Sequence, residues 1–332
     1  MLVYIIRRLV NVVVLLLVVS AVTFGVFFMV PKLTGSDPAL LYVGKNTDKV
    51  AVEGARHKMG LDKPIATQYG LFVKGIVAGR DFDFGTDKQH CSAPCFGYSF
   101  KTEQEVWPVL LSDLPVTASL ASGAAVIWLT TGVGTGVVSA LKRRSVLDRV
   151  TMVTALAGVS LPIYFTGLLS LAVFSYGLGW VHADYVGITE NPAQWANTLF
   201  PAWCSLALLY SAIYARLTRS GMLETMNEDF IRTARAKGLA ERQVVARHGL
   251  RAALTPIITV FGMDLGLLLG GALITERVFS LHGIGEYAVQ SINDNDLPPI
   301  LGVTLLAAFF IVICNLLVDL LYAAADPRVR LS

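Results

Sequence analysis

Arg232-Thr-Ala-Arg-Ala-Lys-Gly-Leu239 lies in a strongly basic stretch between two apolar runs, Asn197 to Ala215 and Leu254 to Thr275. A polar segment closed by glycine and flanked by runs of membrane length points to something that docks on that side of a membrane. The surrounding sequence must establish the spans, the side and the docking partner.

Composition sets the class. Hydrophobic residues make up 54% of the chain and charged residues 15%, with a mean hydropathy of +0.60, whereas soluble domains carry about 25% charged residues. A membrane-crossing helix needs roughly 20 predominantly apolar residues. Six segments qualify: Val10 to Val30, Leu114 to Leu141, Val150 to Val181, Asn197 to Ala215, Leu254 to Thr275 and Leu297 to Ala325. The first four contain no Asp, Glu, Lys or Arg, and the last two carry one acid each, Asp264 and Asp319. The expected fold is an all-α integral membrane protein of six helices. It divides into an N-terminal helix (1–31), an extracytoplasmic cap (32–113) and a five-helix core (114–332) whose polar loop spans 216–256.

Lys and Arg are retained on the cytoplasmic side. Arg7 and Arg8 precede the first run, Lys142, Arg143, Arg144 and Arg149 flank the loop after the second, and Arg328 and Arg330 close the chain. The loop after the fourth run holds Arg216, Arg219, Arg232, Arg235, Lys237, Arg242, Arg247 and Arg251, while the stretch His182 to Thr198 has no Lys or Arg. Both termini are therefore expected inside. The net charge of +3 reflects this topology, not a nucleic-acid footprint. The first apolar run is longer than a signal-peptide core of about 7–15 residues, with no small-x-small site before Pro31, so it is expected to stay as a helix.

Lys32 to Asp113 is the long polar region and is expected outside as a small cap of short helices. Cys91 and Cys95, with Pro94 and Gly97 nearby, suit a small disulfide loop in an oxidising compartment. A metal site, with His90 as its only further ligand, and free thiols are the other readings. Cys204 and Cys314 lie in spans and read as small core residues.

In the basic loop, Leu223, Met226 and Phe230 recur at helical spacing from Ser220 to Phe230. Gly238 is the residue type that ends a helix in a left-handed conformation. Glu241 to Leu254 reads as a second helix, with Pro256 starting the next span. Topology accounts for the charge of this loop but not for its helix, glycine turn and helix. No Gly-x-x-x-x-Gly-Lys-Ser/Thr loop is present to cradle phosphates, and no metal-ligand cluster or nucleophile-base pair stands out.

Intramembrane acids usually face a cavity or a partner, so Asp264 and Asp319 are candidates for a translocation path. Asp319 has Asn315 four residues back on the same helix face, which leaves a structural hydrogen-bonding role open for it. His182 and Glu276 are candidates at the outer mouth, and the external loop from Glu276 to Pro299 is a candidate to dip toward the path. Pro162 is expected to kink the third span. Gly132, Gly134 and Gly136, with Gly266, Gly270 and Gly271, read as close helix packing.

The basic loop resembles that of permease subunits of ATP-binding cassette importers, whose pattern is Glu-Ala-Ala, three residues, Gly, nine residues, then Ile-x-Leu-Pro. Ala234, Gly238 and Leu250 match this frame. Arg232, Thr233, His248 and Arg251 depart from it in a way similar to the dipeptide and oligopeptide branch. Gly60-Leu-Asp-Lys-Pro64, Gln68-Tyr69, Leu114-Pro-Val-Thr117, Ser160-Leu-Pro162, Glu276-Arg-Val-Phe-Ser-Leu281, Gly283-Ile-Gly285, Asn315-Leu-Leu-Val-Asp319 and Asp326-Pro-Arg-Val-Arg330 extend the likeness to nearly the whole chain. His282 stands where a proline is common, and Cys91 to Cys95 looks like an insertion.

The resemblance implies a non-catalytic transport subunit of a bacterial inner-membrane importer of di- and oligopeptides. It implies a second, related permease, two ATPase subunits that bind the ATP, and an extracytoplasmic substrate-binding protein, with no cofactor or metal on this chain. Ala234, Arg235, Ala236, Lys237, Gly238 and Leu239 would form the turn that fits a groove on the ATPase. Arg235 and Lys237 would face its acids, and Gly238 would be the most sensitive position. Within the family, nickel, haem or glutathione are other cargoes. Outside it, an ion-coupled secondary transporter or a membrane scaffold or receptor would explain the spans but not the turn.

Overall fold

The computed structural model describes residues 2–34, 39–40, 48–58, 60–83, 88–99, 101–180 and 185–325. His182 and the segment from Asp326 to Arg330 lie outside them. In chain order the elements are α1 (Leu2–Thr34), α2 (Lys49–Lys58), α3 (Ile65–Ala78), β1 (Arg80–Asp83), β2 (Lys88–Cys91), α4 (Val106–Leu141) and α5 (Val146–Ser160). There follow α6 (Ile163–Gly177), α7 (Pro192–Thr225), α8 (Asp229–Ala236), α9 (Glu241–Leu269), α10 (Leu273–Val278), α11 (Ile284–Asn293) and α12 (Leu297–Ala325).

Helices α1, α4, α7, α9 and α12 are each long and apolar enough to cross a membrane. The α5 and α6 pair makes a sixth span only if its two halves are taken together, because they meet at 101°. The expected third span was a kinked but continuous helix. Pro162 explains the sharper break: it offers no N–H to the preceding turn and forces Leu161 into an extended conformation, φ −85° and ψ 128°.

Small residues set the helix packing. A Cβ on Gly132 would stand 2.8 Å from the Cβ of Tyr214, and one on Gly136 2.6 Å from that of Thr218, so α4 and α7 meet almost backbone to backbone. Gly266 and Gly270 do the same for α9 against Ile311 and Ala307 of α12. Gly134 differs from the expectation, since nothing lies within 4 Å of its Cβ position. The main core, built on Leu120, Trp128, Leu199, Leu206, Tyr214 and Ile257, is fully enclosed where α4, α7 and α9 meet.

The two expected helices of the basic loop are partitioned differently. Ser220 to Thr225 belong to the end of α7, which runs ten residues past Ala215, and the separate helix is Asp229–Ala236. The Asn227 side-chain amide caps α7 by donating to the Leu223 carbonyl at 2.8 Å. The second expected helix is not separate from the fifth span. It passes through a wide π turn at Val244–Gly249 and continues to Leu269. Pro256 thus lies inside α9 instead of starting the span, flanked by buried Ala253 and Ile257.

At the opposite end, α2, α3 and an antiparallel β1–β2 hairpin form the ordered part of the cap. The hairpin was not foreseen in the sequence. Leu61 and Phe72 pack with Phe24 and Phe28 of α1 and with Leu301 and Leu305 of α12. The Ser20 and Tyr69 hydroxyls meet at 2.9 Å. Cys91 and Cys95 are bonded to each other with Cα atoms 5.6 Å apart. The Cys95 N–H donates to the Gly75 carbonyl at 3.1 Å, holding that loop on the end of α3. The cap is fastened to the last span by Ser99, whose hydroxyl donates to Asp296 at 2.5 Å.

Candidate coupling turn and transport site

Helix α8 is short and amphipathic. Glu228 and Asp229 place acids at its positively polarised start, and Arg235 sits in its last turn. Ile231 and Ala234 face inward onto Val244 of α9 and Met226. The helix ends in paired bonds: Gly238 N–H donates to the Arg235 carbonyl at 2.9 Å, and Leu239 N–H to the Ala234 carbonyl at 3.4 Å. This is the bonding of a glycine-terminated helix, and it requires the left-handed φ of +74° found at Gly238. A Cβ placed on Gly238 meets nothing within 4 Å.

The six residues expected at the contact are not equivalent. Arg235, Ala236, Lys237, Gly238 and Leu239 are exposed, and nearby Phe230 is 46% exposed. Ala234 is buried, so it anchors α8 to α9 and is closed to a partner by the chain's own packing. Arg235 holds Glu241 through two hydrogen bonds, at 2.7 and 3.1 Å, bracing the turn across its own mouth. Among the described residues Lys237 has no ion-pair partner, so of the two basic residues it offers the unengaged charge.

At the other end of α9, Gly270 and Gly271 lead into α10, and Glu276 lies at the centre of a knot. It is 0% exposed. One carboxylate oxygen accepts from the Thr117 hydroxyl at 2.9 Å and the Ala272 N–H at 3.1 Å; the other accepts from the Glu286 N–H at 2.9 Å. Thr117 in turn accepts from the Ile284 N–H at 2.9 Å. Burial pushes the Glu276 carboxyl above its ordinary range while these donors pull against it. Glu276 is thus a cross-link between α4, α10 and α11, its carboxylate taken up by the chain's own donors. Gly283 and Gly285 leave room for it: a Cβ on Gly283 would lie 2.6 Å from its carboxyl carbon. Leu281 reaches the main core, so the loop from Glu276 onward is packed inward.

The remaining candidates separate cleanly. Asp319 pairs with Arg8 of α1 at 2.8 Å, which replaces the expected link to Asn315. Asn315 is exposed and makes no side-chain hydrogen bond among the described residues. Asp264, half-buried on α9, accepts from the Tyr214 hydroxyl of α7 at 2.8 Å.

Residues 132–331, which include both glycine turns, match the family described as the inner membrane component of binding-protein-dependent transport systems. Residues 1–121 match the N-terminal part of the membrane component of the same systems. The chain belongs to this family of transport permeases. It is 35% identical to a dipeptide transport system permease protein of Alkalihalophilus pseudofirmus, over 99% of this chain and 100% of the relative. It is also 35% identical to a di/tripeptide transport system permease protein of Pseudomonas aeruginosa, over 94% of each. A glutathione transport system permease protein of Pectobacterium atrosepticum is 34% identical over 99% of each. The crystal structure of an amino acid ABC transporter with histidines shares the fold, with a TM-score of 0.50 at 15% identity over 66% of this chain and 94% of that one. The fold is that of a type I ABC importer permease, a multi-pass protein of the inner membrane that works with ATPase components.

In this permease the sequence reading passed over one group. Asp148, nearly fully buried, accepts from the Arg219 guanidinium at 2.7 and 3.0 Å, from the Ser139 hydroxyl at 2.5 Å and from the Arg144 N–H at 2.9 Å. It joins the end of α4, the start of α5 and α7 beside the basic loop. Arg219 had been counted only as a topogenic charge. The available signal was Ser145-x-x-Asp148, a lone acid at the third position after a serine cap.

Proposed function

We propose that this permease carries peptides into the cytoplasm as one half of a membrane pathway. A second permease completes the pathway, two ATPase subunits beneath it bind the ATP, and an extracytoplasmic binding protein delivers the substrate. The chain itself performs no chemistry. The observation that carries the reading is the exposed, pre-shaped turn Ala236–Leu239, which no part of the described chain covers. Peptide cargo is supported by the relatives, which are named for dipeptides, di/tripeptides and glutathione. Arg7, Arg8, Arg143, Arg144 and the basic loop support cytoplasmic termini by the positive-inside rule.

The geometry suggests how force travels. Helix α8 is fixed to α9 through Ile231, Ala234 and Val244, so a push on the turn moves both. Helix α9 has 29 residues, a rod of about 43 Å at about 1.5 Å per residue. Its far end enters the Glu276 knot, so closure of the ATPases would tilt the rod and carry the knot with it as a rigid body. Co-purification with the ATPase subunits tests the reading, with hydrolysis measured as peptide-loaded binding protein is added. Stimulated hydrolysis is expected. Uptake by this chain alone, driven by an ion gradient, would overturn it.

A further inference from the structure

Three other carboxylates of the permease are held by a cation or by several donors. Asp148 has Arg219, Asp319 has Arg8, and Glu276 is surrounded by hydroxyl and N–H donors. Of the two acids inside the apolar runs, Asp319 has Arg8, whereas Asp264 has no cation beside it among the described residues; its partner is the neutral Tyr214 hydroxyl. A carboxylate in a membrane span without a counter-charge is costly, and such groups face a cavity or a partner. The fully buried Tyr214 fixes the direction of Asp264 while leaving its charge uncompensated.

Aromatic groups from three helices gather on Trp128, next to the Tyr214 that holds this carboxylate. Tyr210, one turn before Tyr214 on α7 and half-buried like Asp264, stacks on Trp128 of α4 with ring centroids 4.6 Å apart. Phe261, three residues before Asp264 on α9, meets the same indole edge-on at 6.3 Å. The buried Trp128 indole also lies against Tyr214, with ring centroids 6.2 Å apart. The seam of α4, α7 and α9 therefore combines a carboxylate without a counter-charge and π faces. These are complementary to an ammonium group, since a carboxylate and aromatic faces both attract a cation.

We propose that Asp264, with Tyr210 beside it, is the membrane-embedded contact for the cationic amino terminus of the transported peptide. This rests on the peptide reading above. Every unmodified peptide carries that group whatever its side chains, so one acid on the path can serve varied cargo.

The test uses the whole importer in liposomes, with binding protein saturated by a dipeptide whose amino terminus is either free or N-acetylated. Wild type is expected to prefer the free amine, and D264N to reduce that preference by roughly tenfold, equivalent to about 1.4 kcal/mol, with D264E restoring part of it. A preference unchanged in D264N overturns the proposal. If D264N does not assemble, Y210L keeps the carboxylate and is read the same way, an unchanged preference again overturning it. A dipeptide bearing a photoreactive diazirine on its first side chain is expected to label α7 and α9 near Tyr210 and Asp264; labelling confined to other helices overturns the proposal. Wild type importing neither dipeptide would instead refute the peptide reading.

Discussion

Helix α9 has a glycine with positive φ just beyond each end, and the two turns differ in what surrounds them. Gly271, at φ +126°, has no room: a Cβ there would stand 2.8 Å from the Gly285 Cα. Gly238, at φ +74°, has nothing within 4 Å. The same residue type thus does two jobs. At Gly271 it permits close backbone approach inside a knot tied by Glu276, and the chain itself supplies the contact. At Gly238 it shapes a surface, and the contact is left for another subunit. One end of the rod is built to be held, the other to be pushed.

The largest expected effect is at the held end. Gly271→Ala combines a disfavoured φ with a backbone clash and should destabilise the permease by about 3 kcal/mol or more, read as loss of the assembled complex and a lower melting temperature. A melting temperature equal to wild type would break the contrast. Asp148→Ala should lower the melting temperature by less than Gly271→Ala but clearly, because it strands Arg219 without its partner and frees the Ser139 hydroxyl and the Arg144 N–H. Asp148 lies at the same end as the basic loop, so a large effect there would show that enclosure, not position along the rod, sets sensitivity. Arg235→Ala should change the melting temperature least, because its pair with Glu241 is largely exposed and solvent screens it. A large loss of stability would mean that the turn depends on that brace.

Much of this was legible in the sequence, and the failures follow a pattern. Apolar length and basic flanks located the spans, and Gly238 pointed to a left-handed helix end, because these are properties of short segments. The partners of Glu276, Asp148 and Asp319 were not legible. Thr117 is 159 residues from Glu276, and Arg219 is 71 from Asp148, so only the packed helices bring them together. Asn315 looked like the partner of Asp319 because it lies one turn away; Arg8 reaches it from another helix. The 101° break at Pro162 was underestimated, since a proline signals an interrupted helix but not the angle at which the next segment packs. Ala234 matched a pattern, yet its burial depends on Val244, which only the fold places opposite.

The pushed end is tested most directly by Gly238→Asp in the assembled importer, measuring ATP-driven peptide uptake per complex alongside the melting temperature. The account predicts a permease that stays folded, since the added side chain meets open space and the strain at φ +74° costs about 1–2 kcal/mol. Uptake is predicted to fall roughly 5- to 150-fold, the range of a coupling free energy of about 1–3 kcal/mol. Uptake at the wild-type rate would contradict the claim that this turn is where the ATPase engages the permease.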